Sequence, residues 1–149
     1  MTGPVLSPIG LDDIDALMPL IVGYRVFYKR EPMPEESRAY LRARFAAGDY
    51  VGFLARVDGA PAGFAILSPT FSTGFMKRIW LLNDIFVEPS LRKAGVGAAL
   101  MKRVEEFARE TGAGRLDLFT ARDNKTAQSV YERAGWVRDE IFYRYQKPL

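Results

Sequence analysis

The 149-residue sequence contains no cysteine and no histidine. That removes disulfides, cysteine nucleophiles, serine–histidine–aspartate triads and Cys/His zinc sites. A general base must then be a carboxylate, a tyrosine, a lysine, a chain terminus or an ordered water. No basic segment followed by an apolar run opens the chain, and no apolar stretch approaches the ~20 residues of a membrane span. A dominant charge is missing too: 21 basic and 18 acidic side chains leave a formal net charge of +3. So slight an excess suits an anionic small molecule and falls short of a nucleic-acid surface, which needs a basic stripe interleaved with aromatics. These absences lead us to expect a cytoplasmic protein with no membrane, nucleic-acid or metal partner.

Apolar residues make up 48% of the chain, enough for one core, and no repeat, low-complexity tract or linker interrupts it. A single domain over residues 1–149 is expected. In "LDDIDALMPLIVGYRVFYK", Leu11, Ile14, Leu17, Met18, Ile21 and Val22 fall at helical spacing, and Pro19 should kink or split that helix. "PEESRAYLRARFAAG" has proline and acids at its front, Tyr40, Leu41 and Phe45 on one face, and Gly48 at its end, which predicts a second helix. "YVGFLARV", Asp58-Gly59 and "APAGFAILSP" read as a hairpin. "RIWLLNDIFVEP" is apolar on both faces and is expected near the centre of the sheet. A helix from Val96 to Gly112, a strand "RLDLFTA", a helix "NKTAQSVYERAG" and one or two strands in "WVRDEIFYRYQKPL" complete the chain. The order is α α β β β α β α β, a mixed α/β fold whose N-terminal stretch can add a strand.

The most informative segment is "FVEPSLRKAGVGAAL". A strand feeds a helix through a turn whose first-turn N–H groups lack intrahelical partners, so it makes an anion site. Gly95 and Gly97 let an anion approach the backbone, and Arg92 and Lys93 stand at the rim. An ordinary strand–helix turn shows the same glycine pair, so the pair alone does not decide. Two nucleotide motifs fail here. A Walker loop needs Gly-Lys-Ser/Thr, whereas this turn ends Gly97-Ala98-Ala99. The dinucleotide fingerprint wants a third glycine where Leu100 stands. Asp117 has the spacing of that motif's ribose-binding acid but lies in the middle of its strand.

The stretch Arg92-Lys93-Ala94-Gly95-Val96-Gly97 resembles the acyl-CoA pyrophosphate loop of the GNAT superfamily of N-acetyltransferases, with its Arg/Gln-x-x-Gly-x-Gly/Ala pattern. "NKTAQSVYERAGW" resembles that family's second signature through Asn124, Ala127, Tyr131, Glu132, Gly135 and Trp136. The two lie in the expected order on the expected elements. "LLNDIFV", "LFTARDN" and "IFYRY" look like the branch that holds polyamine and yeast histone/polyamine acetyltransferases. The resemblance implies a mostly antiparallel central sheet flanked by helices. It also implies direct transfer of an acetyl group from acetyl-CoA to a primary amine of a small molecule or a lysine side chain, releasing CoA. A non-catalytic acyl-CoA-binding module is the alternative, and intact Tyr131 and Asn124 speak against it.

The same resemblance implies roles. The backbone of Ile85, Phe86 and Val87 would bond the pantetheine arm, Arg92 to Ala98 would hold the pyrophosphate, and Asn124 and Ala127 would also contact the donor. Tyr131 would assist the leaving sulfur, unless it is only a core aromatic on its helix stripe. Asn83 and Asp84 interrupt an apolar strand, where an unpartnered polar pair is costly. Alternation points them to opposite faces unless a bulge intervenes. Asp84 is the first candidate base and Glu88 the second. Tyr24, Phe27, Tyr28 and Asn83 would border the acceptor, with Glu31, Glu35 and Glu36 nearby. The tail "EIFYRYQ" alternates as a strand, and an exposed edge of that kind tends to be covered, so a homodimer is expected.

Overall fold

The computed structural model describes residues 3–149. Two compact units emerge, Met1–Leu118 and Phe119–Leu149. The first is a five-stranded sheet in the order β1-β2-β3-β4-β5. Its strands are β1 Val5–Pro8, β2 Val51–Val57, β3 Ala60–Ser72, β4 Lys77–Val87 and β5 Arg115–Leu118. Neighbours are antiparallel except β4 and β5, which run parallel. The N-terminal stretch thus does add a strand, and β3 rather than β4 occupies the middle.

The β2–β3 turn is set by Asp58 and Gly59, both at positive φ (51° and 82°). That is the pair of conformations a two-residue hairpin turn with the right twist requires. Positions 62–67 of β3 are buried without interruption because helices cover both sheet faces. Phe64 and Ile66 join the core formed with Ile14, Leu17 and Ile21 of helix α1 (Ile14–Phe27) and Leu41 of α2 (Pro34–Ala46). On the other face, Gly63 lies under α3 (Val96–Glu110). A Cβ there would come within 2.8 Å of the Phe86 carbonyl oxygen and 3.0 Å of Val96 Cγ1. Val96, Leu100 and Val104 are fully buried at four-residue spacing, the stripe by which α3 docks.

Pro19 does not split α1, which runs unbroken across it. Leu17, Met18, Leu20 and Ile21 are buried on both sides of the proline, and tertiary packing of that face outweighs one missing backbone bond.

The second unit holds helix α4 (Lys125–Arg133) and the tail. The closing strand expected in "WVRDEIFYRYQKPL" does not form, and residues 136–149 carry no strand. Asp139 Oδ1 accepts from the Ile141 N–H (2.9 Å) and the Phe142 N–H (3.3 Å). A local turn therefore takes donors that a ladder would need. Ile141, Phe142, Tyr143 and Tyr145 are all highly exposed.

Candidate active site

Strand β4 positions the site. Its register against β3 passes from Ile66↔Asp84 to Leu67↔Leu82, leaving Asn83 as the extra residue of a bulge. Asn83 donates from Nδ2 to Ser68 Oγ at 2.7 Å, and it is not among the residues around the cavity described below. The pairing with β5 ends at Leu82↔Leu118. Beyond that point Asp84, Ile85, Phe86 and Val87 have no strand partner on the β5 side among the described residues. An edge of this kind is open to an extended ligand.

A cavity of about 200 Å³ opens beside the bulge. Asp84 and Ile66 form its sheet wall, Ile21, Tyr24 and Arg25 come from α1, and Ser37, Tyr40 and Leu41 from α2. Tyr50, just before β2, completes it. The Tyr24 hydroxyl and the Asp84 carboxylate share this cavity and shift each other's proton affinity. Burial raises the Asp84 carboxyl above the ordinary range, and the Tyr24 hydroxyl pulls it partly back. Burial first, and then the Asp84 charge, raise the Tyr24 phenol, so it stays a donor. Burial and the neighbouring Tyr40 raise Tyr50 as well, and the Tyr40 and Tyr50 oxygens lie 3.2 Å apart.

Of the expected acceptor residues, Tyr24 lines this cavity while Phe27 and Tyr28 do not. Those two meet edge to face at the end of α1, with ring centroids 5.1 Å apart. Arg25, Ser37, Tyr40 and Tyr50 were not expected here. The sequence places Tyr40 on one face of α2 with Leu41 and Phe45 and marks no role for it. Nothing in the sequence brings Tyr50 opposite it. Glu88 is already engaged: its Oε2 accepts from the Ser90 N–H at 2.9 Å and from the Ser90 hydroxyl.

From the bulge, β4 runs on to Val87 and a short 3-10 turn at Pro89–Leu91 before α3 begins. Gly95 is the N-cap of α3 at φ 78°, and no side chain caps the helix. The first bond into the helix is donated by the Ala99 N–H to the Gly95 carbonyl, at 3.1 Å. The N–H groups of Val96, Gly97 and Ala98 come before it and are the unsatisfied first-turn donors. Nothing lies within 4 Å of where a Gly95 Cβ would stand. Arg92 and Lys93 are exposed and have no carboxylate partner among the described residues. The Arg92 guanidinium lies 5.0 Å from the Phe27 ring centroid, and its Nε donates to the Val87 carbonyl at 3.3 Å. Open donors, a positive helix end and two cations without acidic partners fit a pyrophosphate.

In the second unit, Asn124 caps α4, its Oδ1 accepting from the Ala127 N–H at 3.2 Å. Tyr131 is half-buried on α4, its ring centroid 6.1 Å from that of Trp136. Among the described residues no group of three or more acidic side chains could hold a metal, and no helix is long and apolar enough to cross a membrane.

Residues 15–136 match the Acetyltransferase (GNAT) family. The chain is 38% identical over 133 residues to YhfO of Bacillus subtilis (strain 168), described as an uncharacterized N-acetyltransferase, covering 89% of each. A crystal structure of a probable acetyltransferase superposes with a TM-score of 0.92 at 38% identity, covering 97% of both chains. The aminoglycoside N-acetyltransferase AAC(6')-Iy, solved in complex with CoA, shares the fold at a TM-score of 0.83 and 21% identity, covering 100% of this chain and 97% of that one. The chain belongs to the GNAT family of acetyltransferases. Its reaction is therefore the transfer of an acetyl group from acetyl-CoA to an amine.

Proposed function

We propose that residues 1–149 act as one catalytic domain that acetylates a small-molecule primary amine held in the Asp84 cavity. The observation that carries this reading is a carboxylate of raised proton affinity, sharing its cavity with a tyrosine, on the same strand that leads into the open turn of α3. An aliphatic ammonium with a pKa near ~10.4 must lose a proton before it can attack. A carboxylate lifted above the ordinary range is a better acceptor for that proton, directly or through a water.

Acetyl-CoA supplies the acyl group: a C–N bond forms to the amine as the C–S bond breaks. Arg92, Lys93 and the N–H groups of Val96, Gly97 and Ala98 would bind its pyrophosphate, with Ala94 and Gly95 forming the turn that presents them; the Ala94 N–H itself donates to the Leu91 carbonyl at 3.0 Å. The open β4 edge at Ile85, Phe86 and Val87 would bind its pantetheine arm. In keeping with the second signature, Asn124 and Ala127 would add contacts, and the Tyr131 hydroxyl would hydrogen-bond the departing sulfur. Tyr24 would orient Asp84 toward the amine. Phe27 and Tyr28 would border the acceptor from the end of α1, and Asn83 would shape the bulge that turns Asp84 inward. Relatives with aminoglycoside, streptothricin and thialysine acetyltransferase names support a small-molecule amine as the acceptor.

The exposed apolar tail, with Ile141 at 81% and Tyr145 at 90% of full exposure, supports a homodimer in which a second copy covers it. A cytoplasmic location follows from dependence on an intracellular acyl donor. Thiol release from acetyl-CoA across polyamines, amino acids, aminoglycosides and lysine peptides tests the reading. CoA production with at least one small amine, abolished in Asp84→Ala, is expected. Turnover with lysine peptides alone would sink it.

A further inference from the structure

The cavity wall carries two charged groups among the described residues, and they have opposite signs: Asp84 and Arg25. They are not paired with each other. Asp84 shares its wall with the Tyr24 hydroxyl. Arg25 uses Nε to donate to the Glu31 carbonyl at 2.6 Å and directs Nη2 toward Met33 Sδ at 3.5 Å. Among the described residues no carboxylate lies within ion-pair distance of the guanidinium, although other arginines find one, such as Arg38 with Asp15 and Arg44 with Asp49. The remaining polar wall consists of hydroxyls, those of Ser37, Tyr24, Tyr40 and Tyr50.

An arginine with a bound Nε and spare Nη donors is oriented for a planar anion, because its fork matches a carboxylate. A site for a polycation would gain nothing from a guanidinium in its wall, since like charges brought together oppose binding. At about 200 Å³ the cavity is also smaller than the ~300–1,000 Å³ typical of pockets that enclose drug-sized ligands. Building on the transfer reading above, we infer that the acceptor carries a carboxylate as well as an amine. It is an amino acid or a close derivative, with its carboxylate on Arg25 and its amine facing Asp84. The α1 residues Tyr24 and Arg25 are adjacent in sequence, so one helix end both steadies the base and selects the acid. Removing the carboxylate from the acceptor leaves the guanidinium without its anion, a loss that penalises diamines and amides more than mere absence of contact.

The test uses α-amino acids, each matched with its carboxamide and its decarboxylated amine, and measures kcat/KM by CoA release. For at least one amino acid, the free acid is expected to exceed both matched compounds by tenfold or more. Arg25→Gln should bring that ratio near one, and Arg25→Lys should keep part of it, because a point charge replaces a fork. Arg25 also holds the Glu31 carbonyl, so the glutamine variant risks misfolding, and the wild-type ratio decides in that event. Amides or diamines matching the acids in wild type overturn the inference while leaving amine acetylation intact. Calorimetry with the same compounds in the presence of CoA separates the two readings. Carboxylate-dependent binding without any turnover supports the Arg25 site and sinks transfer at Asp84. Neither binding nor turnover with any carboxylate-bearing compound overturns the inference.

Discussion

The Tyr24 hydroxyl on helix α1 and the Asp84 carboxylate at the bulge of β4 meet on the wall of one cavity. The hydroxyl and the burial make opposite demands on the carboxylate. The hydroxyl favours the ionised form, whereas burial favours the protonated acid. The two effects together leave Asp84 above the ordinary carboxylate range.

Asp84→Asn should therefore separate function from stability. Loss of the base should lower kcat/KM by ~10²- to 10⁴-fold, the span of general acid–base contributions. Stability should move the other way at neutral pH. The folded-state pKa of Asp84 is raised, so its contribution to stability is present at low pH and falls as pH rises through the shifted value. Asparagine avoids that loss. Thermal melts should show the variant gaining on wild type at pH 7 and the difference shrinking toward acid. A variant less stable than wild type at pH 7 would contradict the burial argument.

Tyr24→Phe keeps the ring contacts with Tyr28, Phe64 and Phe86 but removes the donor. The Tyr24 hydroxyl lowers the Asp84 pKa, so losing it should raise that pKa further. The acid limb of the kcat/KM profile reports deprotonation of the base, and it should move to higher pH in the variant. An unmoved limb would mean that Asp84 is not the group titrating there.

Much of this was legible because the sequence states it locally. The alternation and turn residues around Asp58-Gly59 specify a hairpin, and the stripe Val96, Leu100, Val104 specifies a helix face. Gly95 and Gly97 after a strand specify an anion turn. Other features lie between elements and leave no local trace. Arg25 looks like an ordinary polar position on α1, and Tyr50 like the first residue of a strand. Only the packing of α1 and α2 over β4 brings them to one cavity. The tail misled for the reverse reason. Its alternation is a good strand pattern, but Asp139 offers Ile141 and Phe142 a nearer acceptor than any ladder.

Gly63→Ala should be destabilising by about 1–3 kcal/mol, the range for overpacking. The added methyl would meet the Phe86 carbonyl oxygen at 2.8 Å and Val96 Cγ1 at 3.0 Å. The first is backbone and cannot rotate away. Because Val96 opens α3, acetyl-CoA affinity should fall along with the melting temperature. Denaturant titration and calorimetry on the same sample check both; an unchanged midpoint would show that α3 can lift from the sheet freely.

At Gly95 conformation matters rather than space. A Cβ there would touch nothing, yet φ is 78°, a region that β-branched residues strongly disfavour. Gly95→Val should therefore lose acetyl-CoA affinity at least tenfold, by redirecting the first-turn N–H groups of α3. Gly95→Asn tolerates the left-handed region better and should retain more of it. Equal losses in the two variants, measured by calorimetry on folded protein, would argue that side-chain bulk and not backbone direction governs the turn.

Tyr131 carries the remaining prediction. Its ring lies 6.1 Å from Trp136 and is half-buried, so packing alone is a sufficient reason for an aromatic there. The hydroxyl is what the two roles dispute. A phenol with a pKa near ~10 gives up its proton reluctantly to a thiolate whose acid lies near ~8.5. Its contribution to catalysis would be a hydrogen bond that strengthens as charge grows on sulfur, with proton transfer completing late. Such a bond is worth more in the transition state than in the ground state, so its loss falls on kcat and leaves KM nearly unchanged. Tyr131→Phe keeps the ring and should lower kcat by ~10²-fold, the lower end of general-acid effects. A kcat within twofold of wild type, measured where chemistry limits the rate, would return Tyr131 to a packing role and leave the sulfur to water or a backbone donor.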